Sequence, residues 1–258
     1  MKGKFPRENT LKPYSRSYLS MFGEQPLQQP IFVALALLSA VFTIGYFWGN
    51  RFNRKLFLAL YDELTEVIKP ENREYGNIGG TGEYYANFRL NKESSLDRIE
   101  AKFTFLPRNM WPYLPFAMLV DKCDKLLLVF HFKEKQQNDG HIIEAGYAKS
   151  RKAKIADIDQ LNRTNTKWGK HDYYVYWKNK KTLARFKQLI NAAGDPGGVT
   201  HIACIPDQKK CFIFMVPLKG HIVKNLSPVY EGILSRIGGA GNREILPDVP
   251  EDDETSSA

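Results

Sequence analysis

The chain has 258 residues, of which 43% are hydrophobic and 25% are charged, and it carries a net charge of +9. This length suffices for one sizeable core, and the modest overall hydropathy excludes a bundle of several membrane spans. Cys123, Cys204 and Cys211 are odd in number and lack CxxC spacing, which favours reduced, buried thiols over a disulfide framework, although a bridge from Cys204 to Cys211 across a hairpin stays open.

One segment, residues 30–50, has the composition of a transmembrane helix. It has no charged side chain, and twenty helical residues rise about 30 Å, which matches the hydrocarbon core of a bilayer. Its length and the lack of an A-x-A site favour a retained anchor over a cleaved signal peptide. We expect these anchor side chains to contact membrane lipid: Ile31, Phe32, Leu35, Leu38, Phe42, Phe47 and Trp48.

The charges beside this segment predict its orientation. Arg51, Arg54 and Lys55 follow it, whereas only Arg16 lies within about fifteen residues of its other end. We therefore expect a single-pass protein with the tail 1–29 outside and a cytoplasmic domain at 51–243, followed by a disordered acidic tail at 244–258.

After the anchor, residues 53–69 have the apolar periodicity of an amphipathic helix that continues the span, docks on the domain and ends at Pro70. The glycine-rich run 76–82 follows a helix and precedes a strand, so we interpret it as a flexible turn. A phosphate-binding loop would need the reverse order.

Residues 107–120 form a compact apolar segment with three prolines, and a helix is allowed only from about Pro115 onward. The segment is too short to span a membrane. It either lies in the membrane interface as a contact surface or covers the sheet. Its candidate contact residues are Trp111, Tyr113, Phe116 and Met118.

The remaining periodicity alternates pairs of strands with helices. Strands are predicted at 83–90, 98–106, 125–132, 141–148, 173–177, 200–205 and 211–216, and 155–168 is ambiguous. Helices are predicted at 182–193, with Gly194 as C-cap, and from Ser227-Pro228 to Gly238-Gly239. This order predicts an α+β domain with a mainly antiparallel sheet and covering helices.

The positive net charge of the chain lies mainly in this domain. The last sixteen residues hold six acidic side chains and one arginine, so the rest of the chain is more basic than the whole. The basic residues of the domain either contact anionic lipid, RNA or an acidic partner, or form an ordinary solvated surface. The candidate anion contacts are Lys149, Arg151, Lys152, Lys154, Lys178, Lys180 and Lys181.

No catalytic, cofactor or metal motif is recognisable in the sequence. The five histidines lack HExxH or Cys/His ligand spacing. A nucleophilic pair, His201 with Cys204 or His221 with Cys211, stays open because such partners meet in space. We expect a protein that is not an enzyme, with no cofactor and no small-molecule substrate.

The order of features resembles the calumin family, the coiled-coil-domain-containing membrane proteins of the endoplasmic reticulum in the PAT complex of the multipass translocon. The resemblance covers roughly residues 30–245. Beyond the span and the helix after it, the motifs are Phe105-Leu106-x-Arg108 with its methionine-bearing helix, the segment 174–189 and Phe214-x-Val216-Pro217.

This resemblance implies a non-catalytic factor beside the Sec channel that assists insertion of multi-span proteins with a small membrane-protein partner. The chain departs from the family in lacking a long acidic region before the anchor and a basic coiled coil at the end. A minimal prokaryotic relative is implied, and contact with ribosomal RNA is put in question.

Two functions follow as hypotheses. In the first, the anchor and the apolar segment contact the Sec channel, its partner or nascent membrane proteins. In the second, the protein is a membrane-tethered adaptor whose domain binds a soluble or anionic partner unrelated to translocation.

Overall fold

The computed structural model describes residues 30–80, 82–121, 123–150 and 158–237. A long N-terminal helix is followed by a nine-stranded sheet with further helices, so the predicted α+β class is confirmed. The tails 1–29 and 244–258 lie outside the described residues, as do the predicted helix end at Gly238-Gly239 and Arg151, Lys152 and Lys154.

The helices are α1 (Pro30–Ile68), α2 (Leu114–Asp121), α3 (Ala145–Lys149), α4 (Lys180–Ala193) and α5 (Ile222–Gly232), which continues as a π-helical turn (Ile233–Ile237). The strands are β1 (Asn72–Gly79), β2 (Glu83–Arg89), β3 (Leu96–Thr104), β4 (Lys125–Phe132), β5 (Gly140–Glu144), β6 (Asn162–Trp168), β7 (His171–Trp177), β8 (Val199–Ile205) and β9 (Lys210–Met215). Short 3-10 turns lie at Ile158–Gln160 and Pro206–Gln208.

Helix α1 is a single continuous helix with two different halves. Its first half, the anchor segment (residues 30–50), is long and apolar enough to span a membrane, and its most apolar window is entirely unburied. Its second half has a buried stripe that starts at Asn53 and continues through Phe57, Leu60 and Leu64. The predicted continuation of the span into a docking helix that ends before Pro70 is therefore confirmed.

The strands form one sheet in the order β1-β2-β3-β4-β9-β8-β5-β7-β6, and all neighbours are antiparallel. The end of β3 and the start of β4 lie where α1 leaves the anchor segment, since residues 105–109 contact α1 there. We call this the anchor-proximal end of the sheet. Register places Glu144 and Tyr173 at the same end, and Gly140 and Trp177 at the anchor-distal end.

The core lies on one face of this sheet. Phe57 of α1 stacks on Tyr84 at 4.5 Å between ring centroids and meets Phe103 edge-on at 5.1 Å. Helices α4 and α5 cover the rest of this face and approach closely, because a Cβ atom at Gly232 would collide with Leu189. On the other face, alternate residues of β4 and β9 are only half-buried, so that face is partly open.

Three local predictions are wrong. The first half of the glycine-rich run lies in β1, whose pairing with β2 overrides the turn propensity of Gly76 and Gly79. The predicted strand 141–148 ends at Glu144 and continues as α3. The last helix starts at Ile222, and Pro228 lies inside it, because burial of Leu226 and Val229 outweighs the lost backbone hydrogen bond.

A carboxylate joins the first and last helices. Glu63 of α1 accepts hydrogen bonds from the backbone N–H groups of Gly220, at 2.7 Å, and Ile222, at 3.0 Å. These donors lie at the N-terminus of α5, where the first N–H groups have no partner within the helix and negative charge is favoured. Glu63 therefore caps α5, because the N-cap residue His221 makes no side-chain hydrogen bond to the first N–H groups of the helix.

We expect Glu63→Gln to lower the free energy of unfolding by about 1–3 kcal/mol, because two backbone donors lose a charged acceptor. Chemical denaturation of the full chain in detergent measures it. Glu66→Gln, an exposed change one turn along α1, is the control and should stay within about 0.5 kcal/mol of the parent. Equal effects of the two changes would contradict the capping role.

Candidate membrane-interaction site

The side of α1 that meets the domain carries the motif Gly45-Tyr-Phe-Trp-Gly49. A Cβ atom at Gly45 would collide with the indole of Trp111, and one at Gly49 with the backbone of Arg108 and Asn109. The Trp111 ring also lies 5.7 Å from the Phe42 ring. Small residues four apart let another chain approach a helix closely, and here the domain's own segment occupies that face.

A polar cluster fixes this contact one turn further along α1. Arg108 forms a two-pronged ion pair with Asp124, with N···O distances of 3.0 and 2.8 Å, and donates to Oδ1 of Asn53 at 2.9 Å. The amide of Asn53 donates to the carbonyl of Leu106, and Asp124 accepts from the N–H of Leu106. Because these groups are largely buried and bonded to one another, the anchor helix and the end of β3 are held in one orientation.

Beyond this cluster the chain presents an apolar surface. We use the name apolar segment for residues 110–120, which comprise the turn after Arg108 and most of α2. Phe116, Leu119 and Val120 are 64%, 76% and 65% exposed. The predicted contact residues Trp111, Tyr113, Phe116 and Met118 all belong to this exposed set, which lies beside the anchor segment. If the segment mainly covered the sheet, its large side chains would be buried. Among its buried hydrophobic side chains there is only Ala117.

An open cleft of about 500 Å³ separates the anchor segment from the start of the apolar segment. Phe42, Thr43 and Tyr46 line one side, and Asn109 and Tyr113 line the other. Asn109 is only 6% exposed, and its Oδ1 has no hydrogen-bond partner within the described ranges. A buried amide oxygen without a donor is unfavourable, so the side-chain hydrogen bonding of Asn109, which lines the cleft, is incomplete among the described residues.

The predicted anion contacts do not form one group. Lys178, Lys180 and Lys181 are exposed at the anchor-distal end, where Lys178 lies 3.7 Å from Asp139. Lys149 is the exposed last residue of α3, at the anchor-proximal end. Their role in anion contact stays a prediction.

The sheet separates one of the two histidine and cysteine pairs considered from the sequence. His201 and Cys204 are three residues apart in β8 and so point to opposite faces. The Sγ atom of Cys204 lies 2.9 Å from that of Cys211 in the core, and burial raises the pKa of Cys204, which disfavours the thiolate. His221 lies at the start of α5. Within the described ranges, no cluster of three or more His, Cys, Asp or Glu side chains is placed to hold a metal ion.

On the partly open face, His201 instead pairs with His141, with 3.2 Å between their ring nitrogens, and stacks on Phe214 at 5.4 Å. Burial, followed by repulsion from His141, lowers the pKa of His201 to about 3. Burial also lowers the pKa of His141, partly offset by Asp139. Both imidazoles are therefore neutral at pH 7.

Sequence reasoning named Arg108 only within the motif Phe105-Leu106-x-Arg108. It missed the other residues of this site: Gly45, Gly49, Asn53, Asn109 and Asp124. The four-residue glycine spacing was a detectable signal of close helix contact. Asn53 interrupts an otherwise apolar stripe at the first turn of the buried half, which is also detectable. Nothing in the sequence indicates that Arg108 and Asp124 meet, because sixteen residues separate them.

We expect Asp124→Asn to lower the free energy of unfolding by about 3 kcal/mol, because it leaves the Arg108 guanidinium buried without its counter-charge. Adding Arg108→Met should recover part of this loss. The control, Asp97→Asn, removes an exposed partner of Arg98 and should cost no more than about 1 kcal/mol. Denaturation of the full chain in detergent measures all three, and a loss at Asp124 no larger than that at Asp97 would refute the structural role of the cluster.

The histidine pair predicts acid sensitivity. The unfolded chain takes up a proton at His201 below about pH 6.5, whereas folded His201 resists protonation down to about pH 3, so stability falls as the pH is lowered through the unfolded pKa. We expect His201 to account for a loss of about 2 kcal/mol in unfolding free energy between pH 7.5 and 5. Denaturation at both pH values checks it. His201→Phe should remove most of this loss and the exposed His171→Gln should not, and an unchanged pH dependence in His201→Phe would exclude His201 as its source.

Comparisons with known proteins leave the site without an assigned relative. A scan of the sequence against protein-family models and a search of curated proteins both find no match. The resemblance to the calumin family therefore stays a prediction from sequence motifs, and the function has to be argued from the geometry of the site.

Proposed function

We propose that the protein is a non-catalytic, single-pass membrane factor that assists insertion of multi-span membrane proteins beside the Sec channel. The observation that carries this proposal is the exposed apolar segment, held against the glycine face of the anchor helix by the Arg108 cluster. Contiguous exposed apolar surface on a folded domain marks a binding site for protein or membrane. Its position beside the anchor favours partners that are themselves in the membrane.

The orientation we propose places the domain in the cytoplasm and the N-terminal tail outside. Arg51, Arg54 and Lys55 support it, because all three are exposed on α1 just after the anchor segment. Basic residues at this position favour the cytoplasmic side of a membrane.

The cleft beside Asn109 suggests the class of client. A transmembrane helix with a polar side chain needs a hydrogen-bond partner in the bilayer, and Asn109 Oδ1 is an acceptor with none among the described residues. The aromatic walls of Phe42 and Tyr113 would pack against the apolar remainder of such a helix. We therefore propose clients whose spans carry a hydrogen-bond donor.

A second function, a tethered adaptor for a soluble anionic partner, is favoured by a different observation. Lys178, Lys180 and Lys181 are exposed at the end of the sheet remote from the anchor. At that position they face the aqueous side of the domain. The two proposals therefore use opposite ends of the same molecule.

Photo-crosslinking of the full chain in native membranes tests both proposals. Probes replace Phe116 in the apolar segment and Lys180 at the anchor-distal end, and a third replaces Ile158, an exposed apolar residue just before β6, as a control. We expect the Phe116 probe to recover Sec channel subunits, a small membrane protein or nascent multi-span proteins. Asn109→Leu should weaken the nascent-chain product, because it removes the acceptor and preserves the size of the side chain.

The pattern of products decides between the functions. If the Lys180 probe crosslinks soluble proteins and the Phe116 probe crosslinks no membrane protein, the insertion factor is refuted and the adaptor is supported. Equal membrane-protein products at Phe116 and Ile158 would show that capture does not depend on the apolar segment and would also refute the proposal.

A further inference from the structure

A second cavity, of about 650 Å³, opens on the partly open face of the sheet at its anchor-proximal end. Its volume lies in the range of about 300–1,000 Å³ typical of ligand sites. Val120 of α2 and Tyr147 of α3 line it, and Leu127 and Phe214 on the sheet form its floor. Val120 belongs to the apolar segment, so the cavity and the apolar segment share this exposed side chain.

The floor of the cavity is apolar and preformed. Leu127 and Phe214 are direct partners in the β4–β9 register, which places their side chains next to each other. The Phe214 ring is fixed from the other side by the buried His201 imidazole, nearly parallel to it at 5.4 Å. An apolar chain that entered the cavity would therefore meet an ordered surface and would bury its methylene groups against it.

Two lysines stand at the edge of this floor. Lys102 is paired with Leu127 in the β3–β4 register and Lys125 with Thr104, so the two lysines are diagonal neighbours on the same face. Lys102 lies 3.3 Å from Glu83 in an exposed ion pair, which exchanges readily for another anion. The acidic lining residue Glu144 is 3.2 Å from a ring nitrogen of His171, on the α3 side of the cavity. The lysine side of the cavity therefore favours an anion.

We infer that this cavity binds an anionic membrane phospholipid, with one acyl chain on the Leu127 and Phe214 floor and the phosphate beside Lys102 and Lys125. The apolar segment supports a lipid over a soluble ligand, because an acyl chain that leaves a bilayer along α2 reaches the cavity without crossing water. This inference is independent of the proposed client and requires only that the domain lies at a membrane.

Native mass spectrometry of the full chain in nonionic detergent tests it with phosphatidylglycerol, phosphatidylcholine, palmitate and glycerol 3-phosphate. We expect one phosphatidylglycerol per chain, bound at least about tenfold more tightly than phosphatidylcholine. Lys102→Gln/Lys125→Gln should remove this preference. Leu127→Trp, which fills the floor, should weaken both phospholipids by about tenfold or more, because the acyl chain loses its buried area.

Two matched controls test whether a change in lipid binding comes from the cavity or from adding any bulky ring or removing any two positive charges. Val129→Trp introduces the same ring on the same face of β4 but outside the cavity lining, and Lys178→Gln/Lys180→Gln removes two charges at the anchor-distal end. Both should bind like the parent chain.

Three outcomes would overturn the inference. Unchanged phospholipid binding in Leu127→Trp would place the lipid around the anchor helix. Palmitate bound as tightly as phosphatidylglycerol would make this a fatty-acid site. Glycerol 3-phosphate bound as tightly as phosphatidylglycerol would leave no role for the acyl chain. Thermal unfolding of each variant confirms that it is folded.

Discussion

The ion pair between Arg108 and Asp124 is the interaction on which the rest of this architecture depends. It joins the end of the strand region to the helix that leaves the anchor segment, with Asn53 and the backbone of Leu106 as further partners. A largely buried pair gains little net energy over an apolar contact of the same shape, but it is costly to break once formed. Its main consequence is therefore geometric, because only one rotation of α1 about its axis satisfies all these hydrogen bonds.

This fixed rotation explains why the glycine face and the apolar segment coincide. Gly45, Gly49 and Asn53 follow each other at four-residue intervals and so lie along one side of α1. When Asn53 is hydrogen-bonded to Arg108, the backbone of Arg108 packs directly against Gly49 and the ring of Trp111 packs directly against Gly45. The same side of the helix cannot pack closely against another transmembrane helix, since the domain already occupies it. A transmembrane partner of the anchor segment would therefore have to approach across the cleft or from the other sides.

Local signals predicted those elements whose sequence and tertiary context agree. Local sequence specifies the uncharged span, the apolar stripe after it and the end of α4 at Gly194. The N-cap of α4, Asn179, is also a local signal, but it was recognised only in the structure. Prediction was wrong where distant contacts override propensity. Buried neighbours hold Pro228 inside α5, and Gly76 lies in β1, where it pairs with Tyr85 of β2. The Arg108 cluster depends on α1 meeting the segments after β3 and before β4, and the cavity beside Val120 depends on β3, β4 and β9 meeting in register. A single sequence reveals neither.

Charge on this domain has to be judged by its distance from the anchor. The eighteen residues of α1 after Asn50 rise about 27 Å and end near the anchor-distal end of the sheet. The field of anionic headgroups decays over about 8 Å at physiological ionic strength, so Lys178, Lys180 and Lys181 gain almost nothing from a membrane at the anchor. Arg51, Arg54 and Lys55 of α1 lie at the near end. Lys102, Lys125 and Lys149 lie there too, so all six are placed near headgroups under the proposed topology. Under the proposed membrane topology, the described basic residues therefore fall into a near group and a far group, and only the near group lies within reach of lipid headgroups.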